Sequence, residues 1–232
     1  MKQWIYDTKR RLYVDRFGDR LTDKEIREAL DLYIASVQRG MAAQVARFTA
    51  GDIAAVDLFA FFDEEIAALH GASGAIAYGG LEQMGLREWA RINSKVIQES
   101  GYLAHFKGDL YAAQITGNPL STEGIANRAG LYAEAAYSQF MAQTVERESD
   151  NGVTTGRRIC EADGASCDEC VSAATEEFIP LDEIAEIGSL QCMNNCRCEI
   201  EFGDESASFR TSDLFSGVIS RMSDYGGSVE IQ

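Results

Sequence analysis

Apolar residues recur every three or four positions between Ile26 and Phe48. Ile26, Leu30, Tyr33, Ile34, Val37, Met41, Val45 and Phe48 fall on one stripe, which predicts a helix of about seven turns. Thr22 stands three residues before Glu25 in the capping-box pattern and opens it. Gly40 interrupts the stripe at a cost of roughly 1 kcal/mol, which a buried face absorbs. "AGD" at 50–52 ends this helix, and Asp52 is placed to cap the next. A second stripe through Ile53, Val56, Phe59, Phe62, Ile66 and Leu69 predicts a helix that stops at Gly71. The small-residue run "GASGAIAYGG" at 71–80 leaves two readings open, a flexible joint or a close approach of two helices. A third helical stretch carries Leu81, Met84, Trp89, Ile92 and Val96, and continues to Ile115 with a break near Gly101. "TGNPL" at 116–120 is a loop. Ser121 or Thr122 then opens a last long helix through Ile125, Leu131, Tyr132, Ala136, Phe140 and Val145.

The flanks lack this period. Residues 1–21 mix charge with Trp4, Tyr6, Tyr13 and Phe17, and are expected to form an arm that packs on something else, a partner included. After "ESDNGVTTG" at 148–156, glycines and cysteines replace periodic helix. Arg157–Cys160 and "CEIEF" at 198–202 read as strands, and "PLDEIAEIG" as one or two helical turns. The expected class is mainly α: an elongated helical body with a small C-terminal α+β cysteine-rich module, zinc-knuckle-like or disulfide-linked. The divisions are an arm at 1–21, a body at 22–150, a module at 151–205 and a tail at 206–232. The tail has one short amphipathic piece, Leu214 to Met222.

Composition sharpens this picture in three places. Two prolines in 232 residues suit long helices rather than a turn-rich sandwich. The N-terminus has no apolar core of a signal peptide, and no run is apolar enough to cross a membrane. The expectation is therefore synthesis in a reducing cytosol, with no membrane partner. The net charge of −16 is uneven: residues 161–205 hold thirteen Asp/Glu against Arg197 alone, whereas residues 1–28 hold eight Lys/Arg against six Asp/Glu. Phosphate contacts need clustered cations, so the acidic segment is not a sequence-specific nucleic-acid reader.

All six cysteines lie in that acidic segment or at its edge: Cys160, "CDEC" at 167–170 and "CMNNCRC" at 192–198. A Cys-x-x-Cys turn can present two thiolates to one ion, and a second pair some 20 residues on completes a tetrahedral sulfur site. Cys167, Cys170, Cys196 and Cys198 are the candidate zinc ligands, with Cys192 as substitute. Disulfides are the alternative, with Cys160 and Cys192 as the candidates, and reduced structural thiols are the plainest reading. A redox Cys-x-x-Cys wants cations or a helix N-terminus beside the thiolate, and Asp168 and Glu169 oppose that. A catalytic zinc site usually includes histidine. His70 and His105 lie far upstream and read as packing or surface residues. No phosphate-binding glycine loop, nucleophile elbow or HExxH is present, so the chain is not expected to be an enzyme.

The order of Asp163, Cys167, Cys170, "PLDE" at 180–183, Asn195, Cys196-Arg197-Cys198 and the strand Glu199–Phe202 resembles the C-terminal module of phage head-morphogenesis proteins, the Mu F-like minor head proteins of tailed phages. The resemblance spans residues 121–203. The family's usual histidine before Cys-Arg-Cys is replaced: Met193 holds that spacing and Cys192 precedes it. The resemblance implies a virion protein assembled in the host cytoplasm. It would be a structural minor head protein acting near the portal or the inner capsid wall, with the portal or major capsid protein as partner and self-association also admitted. The rivals are a phage-encoded enzyme using the cysteines, either a thiol oxidoreductase or a metal-dependent hydrolase, and a protein-binding module that uses the aromatic arm.

Overall fold

The computed structural model describes residues 4–7, 9–10, 12–160, 166–191, 196 and 198–203. Four long helices carry it: α1 (Asp23–Thr49), α2 (Ala55–Tyr78), α3 (Leu86–Ile115) and α4 (Thr122–Asp150). The Thr22 hydroxyl accepts the Glu25 N–H at 3.2 Å while the Glu25 carboxylate accepts the Thr22 N–H at 2.9 Å, so the expected box closes the start of α1. Ser121 caps α4 in the simpler way, accepting the Gly124 N–H. Helix α4 packs on both α1 and α2, and α3 packs chiefly on α2. Buried Ala129, Ala133, Ala135 and Ala136 let neighbours approach α4 from more than one side, which is why it carries no single clean stripe. Among the described residues no helix is long and apolar enough to cross a membrane.

Three boundaries differ from expectation, each for a packing reason. Helix α2 runs through Gly71 and ends seven residues later, where Gly79 takes the left-handed conformation (φ +80°). The run 71–80 is thus a helix–helix contact rather than a joint. A Cβ on Gly74 would lie 2.2 Å from Cδ1 of Ile92 on α3, so glycine is what lets the two helices touch. Helix α2 starts at Ala55, and Asp57, not Asp52, holds its first turn by accepting the Ala54 N–H. Leu81 sits in a separate 3₁₀ turn (Leu81–Gln83), and α3 passes Gly101 without a break.

The described residues among the first 21 are folded against the body. Strands β1 (Trp4–Asp7), β2 (Leu12–Asp15) and β3 (Arg20–Leu21) form an antiparallel sheet in that order, with Tyr6 opposite Tyr13. Both tyrosines are buried. The Tyr6 hydroxyl donates to Glu148 on α4 at 2.6 Å, and the Tyr13 hydroxyl donates to the Ala77 carbonyl on α2 at 2.9 Å. Gly79 lies directly beneath the Tyr6 backbone, leaving no room for a side chain. The surface these aromatics pack on belongs to their own chain.

Beyond α4 a second antiparallel sheet has β4 (Thr155–Ile159) at its centre, between β5 (Ile179–Pro180) and β6 (Glu199–Phe202). A short helix, α5 (Asp168–Ala173), and a 3₁₀ turn (Leu181–Glu183) complete the described part of this module. Leu214–Met222 and the remaining tail lie outside the described residues.

Candidate metal centre

Strand pairing decides which sulfurs meet. In the β4–β6 ladder Ile159 faces Glu199, so the next residue on one strand, Cys160, comes opposite the preceding residue on the other, Cys198. Their sulfurs are 2.7 Å apart. Side chains two apart on a strand share a face, and Arg158 therefore points to the same side as Cys160. Helix α5 closes that side: Cys170, in its first turn, is buried with its sulfur 3.7 Å from that of Cys196. Cys160, Cys170 and Cys198 have sulfurs mutually within 4.8 Å, and this triad can hold a metal ion. The five described cysteines are free thiols.

This geometry places the nominated cysteines unequally. Cys170 and Cys198 meet in the triad, and Cys196 adjoins Cys170. Cys160, nominated only for a disulfide, belongs to the triad. Cys167 does not; it stands at the N-cap of α5, where its sulfur accepts the Cys170 N–H at 3.4 Å. Cys192, the substitute ligand and disulfide candidate, lies outside the described residues, as do Asp163, Asn195 and Arg197. Alternation along Arg157–Cys160 places 158 and 160 on one face and is the only hint of Cys160 in the sequence; its position against Cys198 comes from the β4–β6 register.

Arg158 sits at the centre of the cluster with 1% of its surface exposed. Its guanidinium donates to the carbonyls of Ala185 and Glu186 at 2.7 and 3.4 Å, and to the sulfurs of Cys170 and Cys196, each at 3.2 Å. Among the described residues none of these partners is a carboxylate. Burying a cation without an anion is costly, so the arginine favours thiolate at the sulfurs it touches. At Cys198 the hydrogen bond from Arg158 is outweighed: burial first, and then the contact with Cys160, push the thiol up to about 12. A metal reverses that balance, because it binds the deprotonated sulfur and expels the proton.

The triad offers three soft donors to one ion. With metal–sulfur bonds of about 2.3 Å, sulfurs around a tetrahedral ion stand roughly 3.8 Å apart; the Cys170–Cys196 spacing is close to that, and Cys160 and Cys198, 2.7 Å apart, would have to separate to take the ion. Cysteine-rich sites of this kind select zinc or iron over magnesium or calcium. The Arg158 N–H groups supply the outer hydrogen bonds that orient and neutralise thiolate ligands.

The cluster is also tied to the body. The Tyr137 hydroxyl on α4 donates to the Cys198 carbonyl at 3.1 Å. Arg27 on α1 lies over the Tyr137 ring and pairs with Glu199. On the module side, Glu169 of α5 accepts the Gln191 N–H at 2.7 Å and holds the segment leading to Cys192. Two clefts elsewhere contain no cysteine. One of about 150 Å³ is lined by Tyr6, Tyr78, Gln83, Arg147, Asp150 and Asn151. The other, about 300 Å³, runs between α2 and α3. Neither histidine approaches the sulfurs as a ligand: His70 is buried in α2 without a hydrogen-bond partner, and His105 is exposed on α3.

No family model matches the chain, and no curated protein or solved structure matches it either. The class defined by the fold is a four-helix body bearing a small β and cysteine-rich region with a thiol cluster able to take a metal.

Proposed function

We propose that this chain is a structural component of head assembly in a tailed phage or prophage, and that its cysteine module is a zinc–thiolate knot locking the C-terminal segment onto α4. The observation that carries the reading is the set of sulfurs gathered around Arg158 where α5 meets the ends of β4 and β6, those of Cys170, Cys196 and Cys198 buried and that of Cys160 half-buried. They are enclosed between β4, β6 and α5, so a metal there would be closed from substrate, as structural zinc sites are. Cys160, Cys170 and Cys198 hold the ion, with Cys196 as the fourth ligand. The partners in this reading are the portal or the major capsid protein, the location is the virion, and the role is packing rather than turnover. The acidic module suits a basic protein surface and repels packaged DNA.

Two measurements test it. Elemental analysis of purified protein is expected to give one zinc per chain, with thiols at the centre reacting only after chelation and denaturation. Zinc-free protein lacking two titratable thiols would replace the ion with a disulfide, for which the Cys160–Cys198 contact is the ready pair. For the assembly role, mass spectrometry of particles from the encoding phage or prophage is expected to find the chain among head proteins. Particles without it, and filled heads assembled after its deletion, would overturn the proposal. Turnover in an insulin-reduction or hydrolase assay that vanishes with Cys170→Ser would favour the enzyme instead.

A further inference from the structure

Helix α3 carries two heptad seams and uses one. The inner seam, including Ile92, Leu103, Phe106 and Leu110, is buried on the rest of the body. The outer seam, Ile97, Gly101, Ala104, Gly108, Tyr111 and Ile115, steps by four and three residues in alternation, the spacing of a helix that pairs with another helix. All six residues are exposed, Ile97 at 73% and Ile115 at 85%. The seam is about 27 Å long. It runs beside the α2–α3 cleft, whose wall Ala104 shares with Val56 and Phe59. Contiguous apolar surface of this kind marks an interaction site.

We propose that this face is an isologous interface, with α3 of a second copy of the chain packed antiparallel along it. Size complementarity favours that occupant. Placing a twofold axis near residue 106 sets Ile97 against Ile115 of the second copy, Gly101 against its Tyr111, and Ala104 against its Gly108. Each glycine hole then receives either a large side chain or another small one. A parallel pairing would stack Tyr111 on Tyr111 and leave glycine facing glycine, which packs neither. A Cβ at Gly101 or Gly108 would meet nothing within 4 Å inside one chain, so nothing within the monomer's packing requires glycine at either position.

Charge agrees. The chain has a net charge of −16, yet the seam and its flanking positions Gln98, Ser100, His105, Lys107, Ala112 and Gln114 hold no carboxylate. The carboxylate of Asp63 on α2 lines the adjoining cleft, where it accepts the Ser100 hydroxyl at 3.0 Å and stands with Lys107, so the two copies meet across a surface of mixed rather than single sign. Ile97, Tyr111, Ile115 and Val56 each leave on the order of 100 Å² to cover. Pairing then buries roughly 800 Å² in total from these four residues of each copy, the scale of a weak, reversible dimer rather than an obligate one.

Sedimentation equilibrium of the full chain, with metal bound, is expected to show a monomer–dimer equilibrium. Gly108→Glu is expected to weaken it at least about a hundredfold by placing two carboxylates near the axis, and Gly101→Leu to weaken it by filling the hole for Tyr111. Circular dichroism should show both variants fully helical, since Glu and Leu are better helix formers than Gly. An amine-reactive cross-linker should join Lys107 to Lys107, a product that only two copies can give. A monomer at all concentrations, a dimer indifferent to either substitution, or a dimer without the Lys107 cross-link would overturn the proposal.

Discussion

Arg147 and Arg158 are both buried, one where α4 meets the N-terminal sheet and the other inside the cysteine module, and they are accommodated by opposite means. Arg147 pairs with Glu148 at 2.7 Å, donates to the Tyr13 hydroxyl at 2.5 Å, and stacks over the Tyr6 ring at 3.6 Å. Carboxylate, phenols and ring faces all come from the polypeptide, so that junction is electrically complete without any added group. Arg158 has carbonyls and sulfurs around it instead. Its counter-charge exists only while the sulfurs are ionised, and a metal in the triad, binding the deprotonated sulfurs, would hold them so. The N-terminal sheet folds on aromatic packing; the module, with a sheet of three short strands and one six-residue helix, has too little apolar surface to do the same.

The largest test of that contrast is removal of the ion. Chelation under denaturant-free conditions, or Cys198→Ser, is expected to cost the module on the order of 10 kcal/mol locally. The four long helices should stay folded, since most of the buried side chains in the core they share with Cys170, Cys196 and Cys198 come from the helices themselves. Hydrogen exchange resolved along the chain would show protection lost in β4, α5 and β6 and retained in α1 to α4. Loss of protection through α4 as well would mean that the Tyr137–Cys198 link makes the two regions one cooperative unit.

The complementary test breaks the complete junction. Glu148→Ala removes the carboxylate hydrogen-bonded to Arg147 and the acceptor of the Tyr6 hydroxyl, leaving Asp23 as the nearby acidic group. Truncating one member of a buried ion pair costs about 3–5 kcal/mol. Denaturant melts should show this loss in the body while zinc content stays at the wild-type level. Zinc lost together with body stability would tie the two arginines into one network.

These two regions were also unequally legible in the sequence. The stripe from Ile26 to Val45 and the Thr22–Glu25 box specify α1 locally, and the structure keeps both. The N-terminal sheet was not legible, because its strands are two to four residues long and their tyrosines find partners 64 to 142 residues away. Gly71 misled as a helix stop because propensity yields to packing: glycines at 71 and 74 face Trp89 and Ile92 of α3. In the module, spacing located the sulfur-bearing loops, but the choice among sulfurs rests on the β4–β6 register, a long-range pairing that Cys-x-x-Cys spacing does not encode.

Acid offers a smaller effect that separates the regions by different chemistry. Burial, and then the charge of Lys95, push His70 down from 6.5 to about 4, so the folded body holds it neutral. Above pH 6.5 it is neutral in both folded and unfolded chains and costs nothing. As pH falls from 6.5 towards 4 the unfolded chain takes up the proton first, and stability drops by roughly 3 kcal/mol across that window. His70→Leu should flatten the pH dependence of the body's melt in that range. It should leave unchanged the acid release of zinc, which follows protonation of the sulfurs. A melt as acid-sensitive in the variant as in the wild type would remove His70 from the account.

The smallest expected effect is the most selective, because Cys167 and Cys160 exchange roles between the spacing-based set and the geometric one. Cys167 accepts the Cys170 N–H and caps α5, a task that a serine hydroxyl performs well. Cys167→Ser should therefore change stability by only a few tenths of a kcal/mol, the range of exchanges among good caps, and leave one zinc per chain. Cys160→Ser removes a sulfur from the triad and should lose the ion, even though Cys160 stands outside the Cys-x-x-Cys and Cys-Arg-Cys pattern. The two variants differ by the same atom at positions seven residues apart, so a general loss of folding cannot imitate the contrast. Zinc retained by Cys160→Ser and lost by Cys167→Ser would show that the ion follows the spacing motif, and that Cys160 lies beside the centre because the strands pair there.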